Sequence, residues 1–273
     1  MPINDQMLQF FADYIQKNLG IVYPQSNFYQ LAKRIEDIAK ILGLASAEEF
    51  YTKAQQGIQG QMRQVLLDVA TNNETSFFRD PQVYKMLFEQ IFPELQNLAT
   101  GKNVKIWCAA SSFGLEPYSL SILSSEYLAK TPSAHEVEIR ATDISDQALN
   151  RAKSGKYSQL EVQRGLSASR LIKNLTKDEQ DYWTIKSEIS KRVTFARQNL
   201  IEPFLDQGPF DLITCRYVLI YQADAMKKEI IAKLHRCLKP GGYLIMGGTE
   251  SLIGLSSAFV QISGTGAIAY KKQ

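Results

Sequence analysis

The sequence predicts an α/β protein in two parts: a small all-α bundle, then a mostly parallel sheet with helices on both faces. Three observations predict it. The first seventy residues carry only helix-spaced apolar stripes with local caps and stops. From about residue 104 onward, short apolar runs alternate with amphipathic stretches in the manner of βαβ units. The chain then closes on two strand-like runs separated by Gly264-Thr265-Gly266, a hairpin signal.

Asn4 precedes Met7, Phe10, Phe11, Tyr14 and Ile15 at helical spacing, and Gly20 stands where a left-handed terminus belongs. The stripe Phe28, Leu31, Ile35, Ile38 and Leu42, with Gly43 after it, predicts a second helix. Ser46 and Glu49 form an S-x-x-E capping box for a third, and Met62, Val65, Leu66 and Val69 mark a fourth. Asp80-Pro81 predicts a helix opening, the carboxylate as cap and the proline at the first helical position. That helix runs through Val83, Leu87, Ile91 and Leu95 to an end near Gly101. Beyond it, strands are expected at 104–110, 137–143, 192–200, 210–221 and 243–247, and helices at 116–128, 147–153 and 224–238. Lys239-Pro240-Gly241-Gly242 stops the last of these helices, and 259–263 with 267–271 forms the closing hairpin. An antiparallel hairpin on an otherwise parallel sheet suits nucleoside-dependent methyltransferases better than dinucleotide dehydrogenases.

At 273 residues, 45% apolar and 22% charged, the composition is that of an ordinary globular protein. A net charge of +3 without a long single-sign stripe gives no argument for nucleic acid. Cys108, Cys215 and Cys237 lack CxxC spacing and nearby histidines, so neither a metal site nor a disulfide framework is expected; they read as buried thiols of a reducing cytoplasm. The polar opening Met1-Pro2-Ile3-Asn4-Asp5 is not a signal peptide, and Arg216 breaks the longest apolar run, so no membrane insertion is expected. His135 and His235 stand in no triad context, which disfavours hydrolysis.

Two segments carry the candidate site. Gly114 follows the first strand and precedes a helix, where a ligand can approach the backbone, although an ordinary tight turn fits equally and the full G-x-G-x-x-G is missing. Asp143 ends the second strand, where a carboxylate can accept hydrogen bonds from ribose hydroxyls or cap the next helix; Ser145 could take the capping role instead. Arg79, flanked by Phe77 and Phe78, is either an oriented cation or a solvated one beside Asp80. Tyr217 and Tyr221 fall at the sheet edge where ligands bind, and packing is the alternative.

The runs NETSFFRDP at 73–81, EPYS at 116–119, ATDIS at 141–145, CRYVLIY at 215–221 and LKPGGYLIMGGTES at 238–251 resemble the CheR family of chemotaxis receptor methyltransferases, and the likeness extends along the whole chain. The resemblance implies an N-terminal all-α domain over 1–72 that docks receptors, a connecting segment over 73–100, and a Rossmann-like class I S-adenosylmethionine-dependent methyltransferase domain over 101–273. A small antiparallel β-subdomain is expected at about 182–196. The implied activity is methyl transfer from S-adenosylmethionine to glutamate side chains on the cytoplasmic helices of chemoreceptors, by a cytoplasmic, monomeric enzyme needing no metal. The products are γ-methyl esters and S-adenosylhomocysteine. Cofactor-contacting positions are implied at Asn73, Thr75, Arg79, Glu116, Asp143, Asn199, Leu200, Arg216 and Tyr217, with Tyr221 and Arg79 near the transferred methyl.

The chain departs from the family pattern at Phe113, at Leu115 where a glutamate is usual, and at Tyr217 where an asparagine is usual. The glycine-free stretch Thr184-Ile185-Lys186-Ser187-Glu188-Ile189-Ser190 resembles members that do not tether a receptor's C-terminal pentapeptide. Lys33, Arg34 and Lys40 are candidates for docking an acidic receptor face, with a solvated helix face as the alternative. Two other functions fit the sequence: a small-molecule methyltransferase, and a non-catalytic module that senses S-adenosylmethionine.

Overall fold

The computed structural model describes residues 3–99, 103–204 and 208–273. Its first part is a bundle of α1 (Asp5–Leu19), α2 (Phe28–Ile41), α3 (Ala47–Gln55) and α4 (Gly60–Ala70). The Asn4 side chain accepts the Met7 N–H, and Gly20 closes α1 at φ 72°. Ser46 accepts the Glu49 N–H, but the Glu49 carboxylate reaches past Ser46 to the Ala45 N–H, so the expected capping box closes one residue early. Phe11, Leu31, Ile35, Phe50 and Leu66 are fully buried at the centre, with the Phe11 and Phe50 rings stacked at 4.7 Å.

The next helix runs as α5 (Pro81–Met86), a π-turn over Leu87–Ile91, and α6 (Phe92–Leu98). Pro93 explains the widened turn: it brings no N–H, and its ring crowds the carbonyl one turn back. The expected end near Gly101 lies outside the described residues. Asp80 does not cap this helix as expected; it stands at φ 61° and makes no side-chain capping bond, because its carboxylate is engaged elsewhere, as described below.

The second part alternates strands and helices: β1 (Val104–Ala109), α7 (Leu115–Lys130), β2 (Val137–Asp143) and α8 (Asp146–Ser154). An insert follows, made of β3 (Lys156–Tyr157), α9 (Gln159–Gln163), α10 (Ala168–Asn174), β4 (Leu175–Lys177), β5 (Trp183–Ile185) and α11 (Ser187–Ser190). The main sheet then resumes with β6 (Val193–Arg197), β7 (Phe210–Cys215), α12 (Asp224–Cys237), β8 (Leu238–Met246), β9 (Phe259–Gly264) and β10 (Ala267–Lys272). Its order is β6-β2-β1-β7-β8-β10-β9; the first five strands are parallel, and β10 is antiparallel to both neighbours. Every residue of β7 is buried, as a strand covered on both faces requires. The closing hairpin turns on Thr265 and Gly266, at φ 53° and 80°, the left-handed pair that a two-residue loop needs.

Two expectations are corrected. The strand expected over 210–221 ends at Cys215, because Tyr217 at φ 59° turns the chain into a 3-10 turn over Leu219–Tyr221. The small antiparallel sheet is β3-β5-β4, so it spans 156–185 and only β5 falls within 182–196. The Val193 run leaves it because Ile139 pairs with Val193 in parallel, extending the main sheet past β2.

The strand order reverses between the parallel neighbours β1 and β7, opening a crevice beyond their carboxyl ends. The bundle closes one side of it. Val22 N–H donates to the Tyr221 carbonyl at 2.9 Å, and Asn199 Nδ2 donates to the Asn18 carbonyl at 2.8 Å. Among the described residues no helix is long and apolar enough to cross a membrane. Gly114 opens α7 at φ 87°, and a Cβ there would stand 2.8 Å from Ala152 Cβ and 3.1 Å from the Tyr157 hydroxyl. The glycine is therefore needed for α7 to pack on α8. Gly114→Ala combines left-handed strain with overpacking and should lower unfolding free energy by about 2–4 kcal/mol. Ser46→Ala, which removes one cap, should cost about 1 kcal/mol. Urea denaturation of both variants checks the ranking, and equal losses would contradict it.

Candidate functional site

The crevice forms a cavity of about 960 Å³, mouth included, and every expected site residue lines it: Asn73, Thr75, Arg79, Glu116, Asp143, Asn199, Leu200, Arg216, Tyr217 and Tyr221. Gly114 does not. The loop after β1 reaches the cavity instead through Ala110, Ser111 and Ser112.

That loop is strained, with Ala110 at φ 63° and Ser112 at φ 50°. It is held by two bonds. Ser112 N–H donates to Asp143 Oδ2 at 2.8 Å, and Ser112 Oγ donates to the Asn73 carbonyl at 2.9 Å. Asp143 Oδ1 accepts the Ser145 N–H at 2.9 Å, while Ser145 Oγ caps α8 by accepting the Ala148 N–H. The capping alternative for Asp143 is thereby excluded, and the residue lines the cavity. Burial pushes the Asp143 carboxyl above the usual aspartate range despite these N–H donors. Beside it, Ser111 Oγ is buried on the cavity wall without a hydrogen-bond partner. A buried hydroxyl is rarely left so unless a ligand or water completes it.

A chain of charges organises the mouth. Arg216, whose side chain is only 3% exposed, donates from Nη1 to Glu116 Oε2 at 2.6 Å and from Nη2 to Asp80 Oδ2 at 2.7 Å. The same Nη2 donates to the Arg79 carbonyl at 2.8 Å. Burial opposes the Arg216 charge, but Glu116, Tyr84 and Asp80 together outweigh it and raise its pKa. Glu116 also accepts from Thr214 Oγ1, and Asp80 Oδ2 from the Tyr217 hydroxyl. The Tyr217 phenol is shifted upward, first by burial and then by that carboxylate. Removing one member of a buried pair costs about 3–5 kcal/mol, so this cluster is expensive to break.

Arg79 is not held by its flanking aromatics. Phe77 and Phe78 are buried in the core, and the guanidinium lies on the Tyr217 ring, 3.6 Å from its centroid. Tyr217 also accounts for its own departure from the family pattern: φ 59° suits an asparagine, and the phenol there gains the stack on Arg79. Tyr221 lies on the following turn, its hydroxyl accepting from Asn72 Nδ2 at 2.8 Å.

The opposite end is apolar. Leu19 and Ile21, from the end of the bundle, line the cavity together with Ile144, Leu200 and Asn199. Lys233 Nζ donates to the Leu200 and Ile201 carbonyls at 2.9 and 2.8 Å and so fixes that wall. An apolar slot, a buried carboxylate with an unsatisfied hydroxyl beside it, and a charged mouth fit the base, ribose and amino-acid end of S-adenosylmethionine in that order. Among the described residues there is no group of His, Cys, Asp and Glu that could hold a metal.

Sequence reasoning missed Ser111, Asn72, the bundle residues Leu19 and Ile21, and the true role of Asp80. It also missed Glu250, whose carboxylate gathers the N–H groups behind Tyr217. Arg34, expected as a docking cation, instead donates from Nη1 to the Val69, Ala70 and Thr71 carbonyls and caps α4 where it meets the site.

The model of the CheR methyltransferase, SAM binding domain, matches residues 73–268. The chain is 35% identical over 266 residues to chemotaxis protein methyltransferase 1 of Pseudomonas aeruginosa, covering 96% of each chain. It is 36% identical over 273 residues to a chemotaxis protein methyltransferase of Vibrio anguillarum, covering 99% of this chain and 98% of the other. With that domain matched over most of the chain, and with likeness running end to end, the chain belongs to the CheR methyltransferase family and is an S-adenosylmethionine-dependent methyltransferase.

Proposed function

We propose that this chain esterifies glutamate side chains on the cytoplasmic helices of chemoreceptors. The observation that carries this reading is a mouth built from Arg79 stacked on Tyr217, with Tyr221 beside it and no histidine lining the cavity. A glutamate carboxylate, with an ordinary pKa of about 4.3, is ionised at neutral pH and needs no general base. A mouth offering a cation and phenols, but no histidine, suits that nucleophile. The relatives named above are chemotaxis protein methyltransferases, which supports the same substrate class.

Bound S-adenosylmethionine supplies a methyl group activated by its sulfonium; a glutamate oxygen takes the methyl, and S-adenosylhomocysteine leaves. Asp143 accepts from the ribose hydroxyls, with Ser111 Oγ alongside. Asn199 and Leu200 border the base. Arg216 holds Glu116 at the amino-acid end and fixes the Arg79 backbone. Arg79 orients the incoming carboxylate, and Tyr221 positions the methyl; both act by alignment and by keeping water out. The bundle offers Lys33 and Lys40 to an acidic receptor face, Arg34 being committed to α4.

We also propose that receptors are engaged without a tethered C-terminal pentapeptide. The loop from β4 to β5 is the glycine-free Asp178-Glu179-Gln180-Asp181-Tyr182, with Asp178 Oδ1 accepting the N–H groups of Gln180 and Tyr182. Calorimetry with a receptor tail peptide should give no micromolar binding, and such binding would refute this point.

Receptor membranes incubated with labelled S-adenosylmethionine should acquire base-labile label, and transfer only to small molecules would overturn the reading. Arg79→Ala should lower kcat/KM about 100-fold or more while cofactor affinity changes far less; unchanged turnover would remove its assigned role. Asp143→Ala should weaken cofactor binding roughly 100-fold or more, through loss of two charge-assisted hydrogen bonds of about 1.5–3 kcal/mol each. Because its pKa is raised in the fold, Asp143 favours folding most below its unfolded pKa and loses that contribution as pH rises through its folded one. Cofactor binding needs the ionised form and runs the opposite way. Affinity should fall on acidification starting above the ordinary 3.8, and Asp143→Asn should abolish that dependence; titration calorimetry across pH reads both.

A further inference from the structure

Behind the mouth of the cavity, one side chain makes more backbone contacts than any group the proposed chemistry uses. Glu250 follows β8 in the run Gly247-Gly248-Thr249-Glu250. Its Oε2 accepts the N–H groups of Tyr217 at 2.7 Å and Gly247 at 2.8 Å. Its Oε1 accepts those of Leu219 at 2.8 Å, Val218 at 3.1 Å and Ile220 at 3.2 Å. One carboxylate thus takes the N–H of every residue from 217 to 220, the segment that leaves β7 and delivers Tyr221.

The surroundings are built for this approach. Gly247 has no Cβ, and one placed there would stand 2.8 Å from Glu250 Oε2 and 2.9 Å from the Tyr217 nitrogen. The Glu250 N–H donates to the Gly247 carbonyl at 2.9 Å, closing a turn that points the side chain back at the 3-10 turn. Glu250 has no ion-pair partner among the described residues, so N–H dipoles alone balance its charge, as at a nest.

The clustering matters because of what those N–H groups belong to. Tyr217 stands at φ 59°, a conformation costly for an aromatic residue, and its ring carries Arg79 while its hydroxyl meets Asp80. Tyr221 closes the same 3-10 turn. Free N–H groups in a tight turn have no strand or helix partner, and without an acceptor the turn could relax toward extended backbone. Such a relaxation would move both aromatic rings at the mouth at once. Glu250 itself does not line the cavity, and with five donors on its two oxygens it is no candidate for a base.

We propose that Glu250 is a positioning residue for methyl transfer, holding the 217–221 turn so that Tyr217, Arg79 and Tyr221 stand in register with the substrate carboxylate. This rests on the mouth being the methyl-transfer site. Asp143, Ser111 and Asn199, which border the ribose and the base, sit on other elements, so Glu250 governs alignment at the mouth more than affinity for the cofactor.

The test is Glu250→Gln, which keeps the shape but turns one acceptor into a donor facing N–H groups. In the cofactor-free protein, hydrogen–deuterium exchange of amides 217–220 and Gly247 should accelerate at least tenfold, while amides 244–246 of β8 stay unchanged. With receptor substrate, kcat should fall 10- to 100-fold and the S-adenosylhomocysteine Kd should stay within threefold. Glu250→Asp, which keeps the charge on a shorter arm, should recover part of both effects. If Glu250→Gln loses its cooperative melt, Glu250→Asp is read by the same two measures. Exchange within twofold of wild type would overturn the proposal, as would unchanged kcat. So would parallel losses of melting temperature, cofactor affinity and turnover, the pattern of a merely structural acid. A wild-type protein that forms no ester on receptors would instead refute the proposed substrate, with the exchange result standing on its own.

Discussion

The site depends on one buried guanidinium. Arg216 leaves the end of β7 and joins two pieces of chain that are far from it and from each other in sequence: Glu116 in the first turn of α7, and the adjacent pair Arg79, through its carbonyl, and Asp80, through its carboxylate, at the start of α5. A cation so enclosed is stable only while its acidic partners stay in place. The segment 73–80 is therefore pinned to the sheet edge by the same residue that marks the end of the central strand. Both of the sequence segments that first suggested a site meet at this one side chain.

From that anchor the rest of the cavity follows as two gradients. One part of the wall is apolar, with Leu19 and Ile21 of the bundle lining it beside Ile144 and Leu200, so the helical part completes the pocket as well as standing beside it. Toward the mouth it becomes charged and aromatic, with Arg79 lying on Tyr217. Between them Asp143 is kept buried by the loop it helps to hold, through the Ser112 N–H. Strain at Ala110, Ser112 and Tyr217 is concentrated around this cavity, where hydrogen bonds from neighbouring elements offset it.

Much of this was legible in the sequence where a residue type has few alternatives. The helical stripes of the bundle, the strand ending at Asp143 and the Gly264-Thr265-Gly266 hairpin were readable because periodicity and turn chemistry are local. What escaped was nonlocal. An Asp-Pro pair reads as a helix cap, and only the fold shows that Asp80 serves Arg216 instead. Arg34 reads as a surface cation, yet it caps α4 from another helix. Strands of two or three residues, such as β3 and β4, carry no measurable period, so the small sheet was expected too late in the chain. Glu250 lies in the run LKPGGYLIMGGTES at 238–251 with no signal of its own, since accepting backbone N–H groups leaves no mark on composition.

A crystal structure with S-adenosylhomocysteine bound tests the account most directly. It should place the ribose hydroxyls on Asp143, a hydrogen bond on Ser111 Oγ, and the sulfur beside Arg79 and Tyr221 with the Arg216 bridge intact. A ligand that leaves Asp143 and Ser111 without contact, or whose sulfur points away from the mouth, would contradict it.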